Sequence, residues 1–259
     1  MFTGLNLGGV DVLMLPLVKL NPAISQAEDN NLFDKLEEIY NKLPEMVCDR
    51  CGTCCTVPHP AYIVEYLNMF RYVNKNYPEK WPQFIEGAVR YYFLELVDIH
   101  QRCPFLDEHN NCQVYEVRPF ACRTYGMMGK RNTHDLTRRN MEKLVEKYRS
   151  EHNIELPGEI VEFELPYCEK VKVTNGDHKT PMELVQLLTA DIGQLELFFV
   201  PMPVIESQFT FMPYVNHLVM SVVSEGARLR RPKVMQEFLA QGHSELLEKY
   251  IEKYRSTSF

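Results

Sequence analysis

The segment Cys48-Asp49-Arg50-Cys51-Gly52-Thr53-Cys54-Cys55 constrains this chain more than any other feature, because it places four cysteines within eight residues. The chain between them is too short to send their side chains to separate parts of a core. Sulfur at this density suits soft-metal ligation, in which one loop wraps an ion or cluster and offers it several thiolates. Cys103, Cys112 and Cys122 follow at wider spacing, and Cys168 stands alone. Eight cysteines divide into two four-thiolate sites, or into one site with spare thiols. Side chains of the neighbours Cys54 and Cys55 tend to point apart. The expectation is therefore that the dense loop shares its sulfurs between centres that the dispersed cysteines complete.

Disulfides are the competing use of cysteine, and they belong to oxidising compartments. The apolar stretch Val10–Val18 is interrupted by Asp11 and Pro16, and neither a basic segment nor a small-residue cleavage site flanks it. It makes a poor signal peptide and reads as an extended arm packed on the body. The expected compartment is the cytoplasm, where thiols ligate metals or do redox chemistry. Net charge is −7, which argues against sequence-independent binding of nucleic acid. No run reaches the roughly 18–20 apolar residues of a membrane span.

Hydrophobic periodicity predicts a mainly α fold: a loop-rich cysteine core clamped by helices, with at most one small β element. Helices are expected over 26–43, from Pro60 to about Asn76, from Pro82 to His100, and over a polar segment from His134 to His152. Val161, Phe163 and Leu165 alternate with glutamates and read as a short strand. Thr180-Pro181-Met182-Glu183 forms a capping box for a helix running to about Phe199. Further helices are expected to end near Gly226, to span Pro232 to Gly242, and to run from Ser244 to Arg255. The organisation that follows is an N-terminal arm (1–25), a cysteine-cluster metal-binding domain (26–175) and a helical C-terminal region packed on it (176–259).

The order of motifs adds a resemblance. Cys-x2-Cys-x2-Cys-Cys is followed by Cys103-Pro104-Phe105-Leu106. Next come Cys112-x2-Tyr115-x2-Arg118-Pro119-x2-Cys122-Arg123. Over about residues 44–130 this resembles the YkgJ-like CxxCxxCC cysteine-cluster family, described as zinc- or iron-chelating and including flagellin lysine N-methylases. The resemblance implies a chelating role for Cys48, Cys51, Cys54, Cys55, Cys103, Cys112 and Cys122. Cys168 joins them on the cysteine count alone. The resemblance does not separate zinc from iron–sulfur. The spacing leans to iron–sulfur: structural zinc sites usually pair two short knuckles, whereas dense runs followed by a remote cysteine suit a cluster such as 4Fe-4S. Zinc is the alternative cofactor.

Around the cysteines, Arg118 and Arg123 are candidates to offset the negative charge of a thiolate-bound cofactor; salt bridges to carboxylates such as Glu116 are the plainer reading. Tyr115 and Tyr125 read as core tyrosines, and His59 and His100 as capping or surface histidines close enough to serve as mixed ligands. The basic stretches Lys130–Arg139 and Arg228–Lys233 read as solvated faces. No Walker A loop, GxGxxG, HExxH or radical-SAM CxxxCxxC spacing occurs, and no S-adenosylmethionine pocket is identified. Three functions remain open. One is an iron–sulfur protein serving redox, electron transfer or a modification reaction, with a protein or small-molecule redox partner. The second is a zinc protein with structural metal and a helical interaction surface, and the third is a metal-handling or cluster-assembly factor.

Overall fold

The computed structural model describes residues 15–52, 55, 58–127, 134–164, 167–168, 170–174, 180, 182–203 and 211–259, the side chains of 134–140 excepted. Cys54, the arm up to residue 14, Leu165, Pro181 and the side chains of the basic stretch 130–139 lie outside it. The fold is mainly α, with two small two-stranded sheets. The helices are α1 (Leu17–Asp29), α2 (Leu32–Tyr40), α3 (Ile63–Asn76), α4 (Trp81–Leu94), α5 (Phe120–Thr124), α6 (His134–His152) and α7 (Gly158–Val161). They continue as α8 (Met182–Leu195), α9 (Tyr214–Val222), α10 (Glu225–Arg228), α11 (Arg231–Gln241) and α12 (Glu245–Tyr254). The strands are β1 (Met46–Val47), β2 (Pro60–Ala61), β3 (Lys172–Val173) and β4 (Met212–Pro213). Among the described residues no helix is long and apolar enough to cross a membrane.

Several boundaries differ from the sequence reading, each for a local reason. The expected helix over 26–43 is two helices. Asn31 takes a left-handed backbone (φ 53°), which Asn tolerates better than most residues, and the chain bends there. α1 begins at Leu17, inside the segment read as an extended arm, and carries Pro22 in its second turn. Pro60 sits in β2 instead of starting a helix, and α3 begins at Ile63. The strand expected at 161–165 is not formed by its described residues: Gly158–Val161 is a single helical turn, with Ile160 buried beneath it. Alternation over so few residues is also what a turn with one inward side produces.

α4 is the central helix, packed against α9, α11 and α12. Glycine at position 87 lets Pro104 approach it, since a Cβ there would stand 2.7 Å from the Pro104 Cβ. An aromatic cluster surrounds this contact: Phe84 lies 4.6 Å from Phe105, and Trp81 lies 4.4 Å from Phe259 between ring centres. The N-terminus of α3 is held by two buried carboxylates. Glu65 accepts from the backbone N–H of Tyr62 (2.9 Å), and Glu196 accepts from that of Val64 (2.9 Å). Glu65 also accepts from the Tyr40 hydroxyl (2.7 Å) and the Phe120 N–H (2.6 Å), so one side chain fixes α2, α3 and α5 together. Burial raises its carboxyl above the usual range, against the pull of these donors.

Two consequences for stability follow. Arg231 of α11 donates to Glu95, just past α4, at 2.9 Å, with both side chains buried. Glu95→Ala would leave the guanidinium uncompensated, and should cost about 3–5 kcal/mol, read from the urea midpoint. Burial also pushes the phenols of Tyr66 and Tyr91 well up. Their folded values lie above the unfolded value near 10, so above that pH the unfolded chain holds fewer protons. Stability from these neutral phenols is complete below about pH 10 and falls above it, by up to about 1.4 kcal/mol per pH unit for each. Denaturation midpoints should therefore drop steeply on the alkaline side, and a flat profile would contradict the burial.

Candidate metal centre

Two short ladders frame the cysteine loop. β1 enters it and pairs antiparallel with β3 (Met46↔Val173, Val47↔Lys172). β2 leaves it and pairs with β4 (Pro60↔Pro213, Ala61↔Met212). The first ladder brings Cys168, just before β3, back to Cys48, just after β1. Without it Cys168 has no local reason to be here, since 120 positions separate the two in sequence.

Within the loop the backbone turns twice through left-handed conformations, at Arg50 (φ 51°) and Gly52 (φ 73°). Glycine is needed at the second, because a Cβ there would meet the Asn110 Cβ at 2.8 Å. The Arg50 N–H lies 3.4 Å from the Cys48 sulfur, and the Cys55 N–H bonds the Gly52 carbonyl at 2.9 Å. The Cys55 carbonyl accepts from the Cys103 N–H (3.2 Å), joining the dense and dispersed cysteine groups through the main chain. Cys112 lies opposite Leu106 in a small hairpin. Its turn is closed by Asp107, which accepts from the N–H groups of His109 and Asn111 (2.9 and 2.7 Å). Cys122 rides on α5, whose first N–H is the one bonded by Glu65.

These segments meet at one cavity with about 920 Å³ of space not filled by atoms, its open mouth included. All seven described cysteines line it: Cys48, Cys51, Cys55, Cys103, Cys112, Cys122 and Cys168. Cys103 is buried, Cys51 is exposed at the mouth, and the others are half-buried. Glycine at 126 admits the Cys168 segment, for a Cβ there would stand 2.4 Å from the Val171 Cγ2 and 3.4 Å from the Cys168 Cβ. The dense and dispersed groups therefore share one wall. Among the described residues no three His, Cys, Asp or Glu side chains already stand in an ion-holding arrangement; the sulfurs ring a space instead of meeting at a point. The donor set itself fits a thiophilic centre, since thiolate sulfur selects zinc, copper(I) and iron–sulfur over hard cations.

The remaining candidates fall out unevenly. Arg118 and Arg123 both line the cavity. The Arg118 guanidinium lies over the Tyr115 ring (3.8 Å to its centre), and its buried Nε has no hydrogen-bond partner. Arg123 donates to the carbonyls of Arg118 (3.0 Å) and Glu116 (2.6 Å) and lies over Tyr40 (4.2 Å). Its Glu116 contact is therefore with the backbone and not with the carboxylate. Tyr115 and Tyr125 line the cavity half-buried, and His59 lines it with its ring 4.7 Å from that of Tyr125. His100 is exposed and does not line it.

Arg50 and Tyr214 are among the lining residues that escaped the sequence reading. Arg50 lies 4.1 Å above Tyr115, so this ring carries two guanidiniums. Its place inside the cysteine run was the available signal. Tyr214, at the start of α9, reaches the wall from the C-terminal region, and nothing in its local sequence marks it. Burial first, then the nearness of Cys103, Cys122 and Cys112, pushes its phenol well above the usual value.

A search of curated proteins found no match, and neither did a search of solved structures. The scan of family models matches residues 47–149 to the CxxCxxCC family, described as "putative zinc- or iron-chelating domain". The match takes in the dense run and Cys103, Cys112 and Cys122, but neither Cys168 nor Tyr214. The similarity to the CxxCxxCC family therefore covers residues 47–149, less than half of the chain.

Proposed function

We propose that this protein binds an iron–sulfur cluster, most simply 4Fe-4S, and uses it in electron transfer or in a modification reaction with a protein or small-molecule redox partner in the cytoplasm. One observation carries the reading: seven cysteines from three separate stretches of chain (48–55, 103–122 and around 168) line a single cavity. The proposed holders are drawn from Cys48, Cys51, Cys55, Cys103, Cys112, Cys122 and Cys168, with Cys54 added from the motif; one 4Fe-4S cluster takes four of these eight sulfurs, and two centres would use all of them. When bound, such a cluster supplies one-electron chemistry. Arg50, Arg118 and Arg123 bring positive charge to the wall and offset the negative charge that thiolate ligation creates. Tyr125 and Tyr214 cover part of the wall and reduce the access of water, which bears on potential. Cys51 at the exposed mouth marks the side from which a partner approaches.

Zinc is the second reading, supported by how little regular structure the described residues of the cysteine segments form: chiefly two ladders of two residue pairs at their borders, one isolated bridge and the five-residue α5. Binding there would be folding energy. Anaerobic purification separates the two readings. Brown protein containing iron and acid-labile sulfide supports the cluster; colourless protein with stoichiometric zinc overturns it in favour of structural metal.

A further inference from the structure

Tyr214 lies beyond the family segment and belongs to the C-terminal helical region, yet it touches the sulfur wall. It is 3% exposed, and its hydroxyl is hydrogen-bonded to the Cys103 sulfur. Its place is set by the backbone. β4 ends at Pro213, locked in register against β2, and the Tyr214 N–H bonds the His59 carbonyl at 3.3 Å. Its ring packs on Phe105 (5.5 Å between centres), two residues after Cys103, so both ends of the contact are anchored. Cys112 and Cys122 are near enough to add to the upward push on its phenol.

The direction of the bond follows from chemistry. Either atom is a possible donor when the cysteine is a thiol. Once the sulfur is a metal-bound thiolate it has no proton, while a phenol with an ordinary value near 10 keeps its own at neutral pH. The hydroxyl then donates, and the sulfur accepts through a lone pair not used by the metal.

We propose that Tyr214 is a positioning residue of the metal centre, donating its O–H to the Cys103 thiolate and holding that sulfur in the ligating position. This inference rests on the reading of the cavity as a thiolate–metal site, and extends the site to a residue that the family segment does not contain. A charge-assisted bond to a ligand sulfur draws off part of its charge and stabilises it against protonation and release.

The test compares the full chain with Tyr214→Phe, which keeps the ring and removes only the donor. Tyr66→Phe serves as control: Tyr66 is equally buried, bonds the Ser221 hydroxyl at 3.2 Å and does not line the cavity. Metal content is measured first, then the rate of transfer of the bound metal to a chromophoric chelator. Removing an outer partner of a ligand costs about 10–100-fold in metal affinity, and Tyr214→Phe should release metal faster by a similar factor, with Tyr66→Phe at the wild-type rate. Iodoacetamide labelling of metal-loaded protein, mapped by peptide mass, should show Cys103 gaining reactivity in Tyr214→Phe alone. Equal release and labelling in wild type and Tyr214→Phe, with metal bound in both, would overturn the inference and leave the metal site standing. Equal acceleration in both tyrosine variants would overturn it too, reducing Tyr214 to general packing. A wild-type chain that holds neither iron nor zinc would overturn both.

Discussion

Stripping the metal from the full chain should lower its melting temperature by roughly 10 °C or more. The reason lies in what joins the cysteine segments. The loop 48–59 is tied to the segment around Cys168 by the two residue pairs of β1–β3 and to the stretch 103–123 by the Cys55–Cys103 backbone bond, while β2–β4 holds the end of the loop to residues 212–213. Isolated two-stranded pairs are marginal in water. Thiolate–metal bonds across these segments are absent from the unfolded chain, so their free energy becomes folding free energy, about 10–16 kcal/mol for structural zinc in small peptides. Even a third of that, at about 2–4 °C per kcal/mol for a chain of this size, gives the stated shift. The core is built mainly from helical side chains, with Cys103 inside it and Cys55 at its edge, so helical circular dichroism at low temperature should largely survive. Scanning calorimetry before and after chelation under reducing conditions reads the shift, and an unchanged transition after complete metal removal would contradict it.

Cys103→Ser should remove most of the bound metal. Cys103 is the most buried cysteine of the wall, at 5% exposure, and its N–H is bonded to the Cys55 carbonyl. Neighbouring chain therefore has little freedom to bring another sulfur into its place. Loss of an outer partner costs about 10–100-fold in affinity, and loss of a sulfur that touches the metal should cost at least as much. Serine keeps the approximate shape, so the folded helical signal should persist while metal content falls. Elemental analysis of the purified variant is the check; wild-type occupancy would mean that Cys103 is a buried thiol and not a ligand.

The sequence made the chemistry legible where the signal was local. Cysteine density identified the loop, periodicity located α3, α6, α8 and α12, and Gly242 and Ser244 marked helix ends that the structure realises: Gly242 at φ 72°, and the Ser244 hydroxyl accepting from the Leu247 N–H. What the sequence hid is long-range. The pairing of β1 with β3 places Cys168, and the pairing of β2 with β4 places Tyr214; each ladder has two residue pairs and no alternating pattern to announce it. The spacing of the cysteines also does not announce that the dense and dispersed groups meet: the Cys55–Cys103 backbone bond and the shared cavity bring seven of them round one space. Glu65 was equally silent. On α3 it reads as one more surface glutamate, but it is buried and bonded to three segments.

The central claim, that the cysteines converge on one metal-binding cavity, is tested most directly by thiol counting alongside elemental analysis. The native chain, purified anaerobically, is titrated with a chromogenic thiol reagent before and after a strong chelator. The expected result is bound iron or zinc, at least four of the eight thiols masked in the native protein, and release of metal as they become reactive. A chain without metal whose eight cysteines all react at once would contradict it.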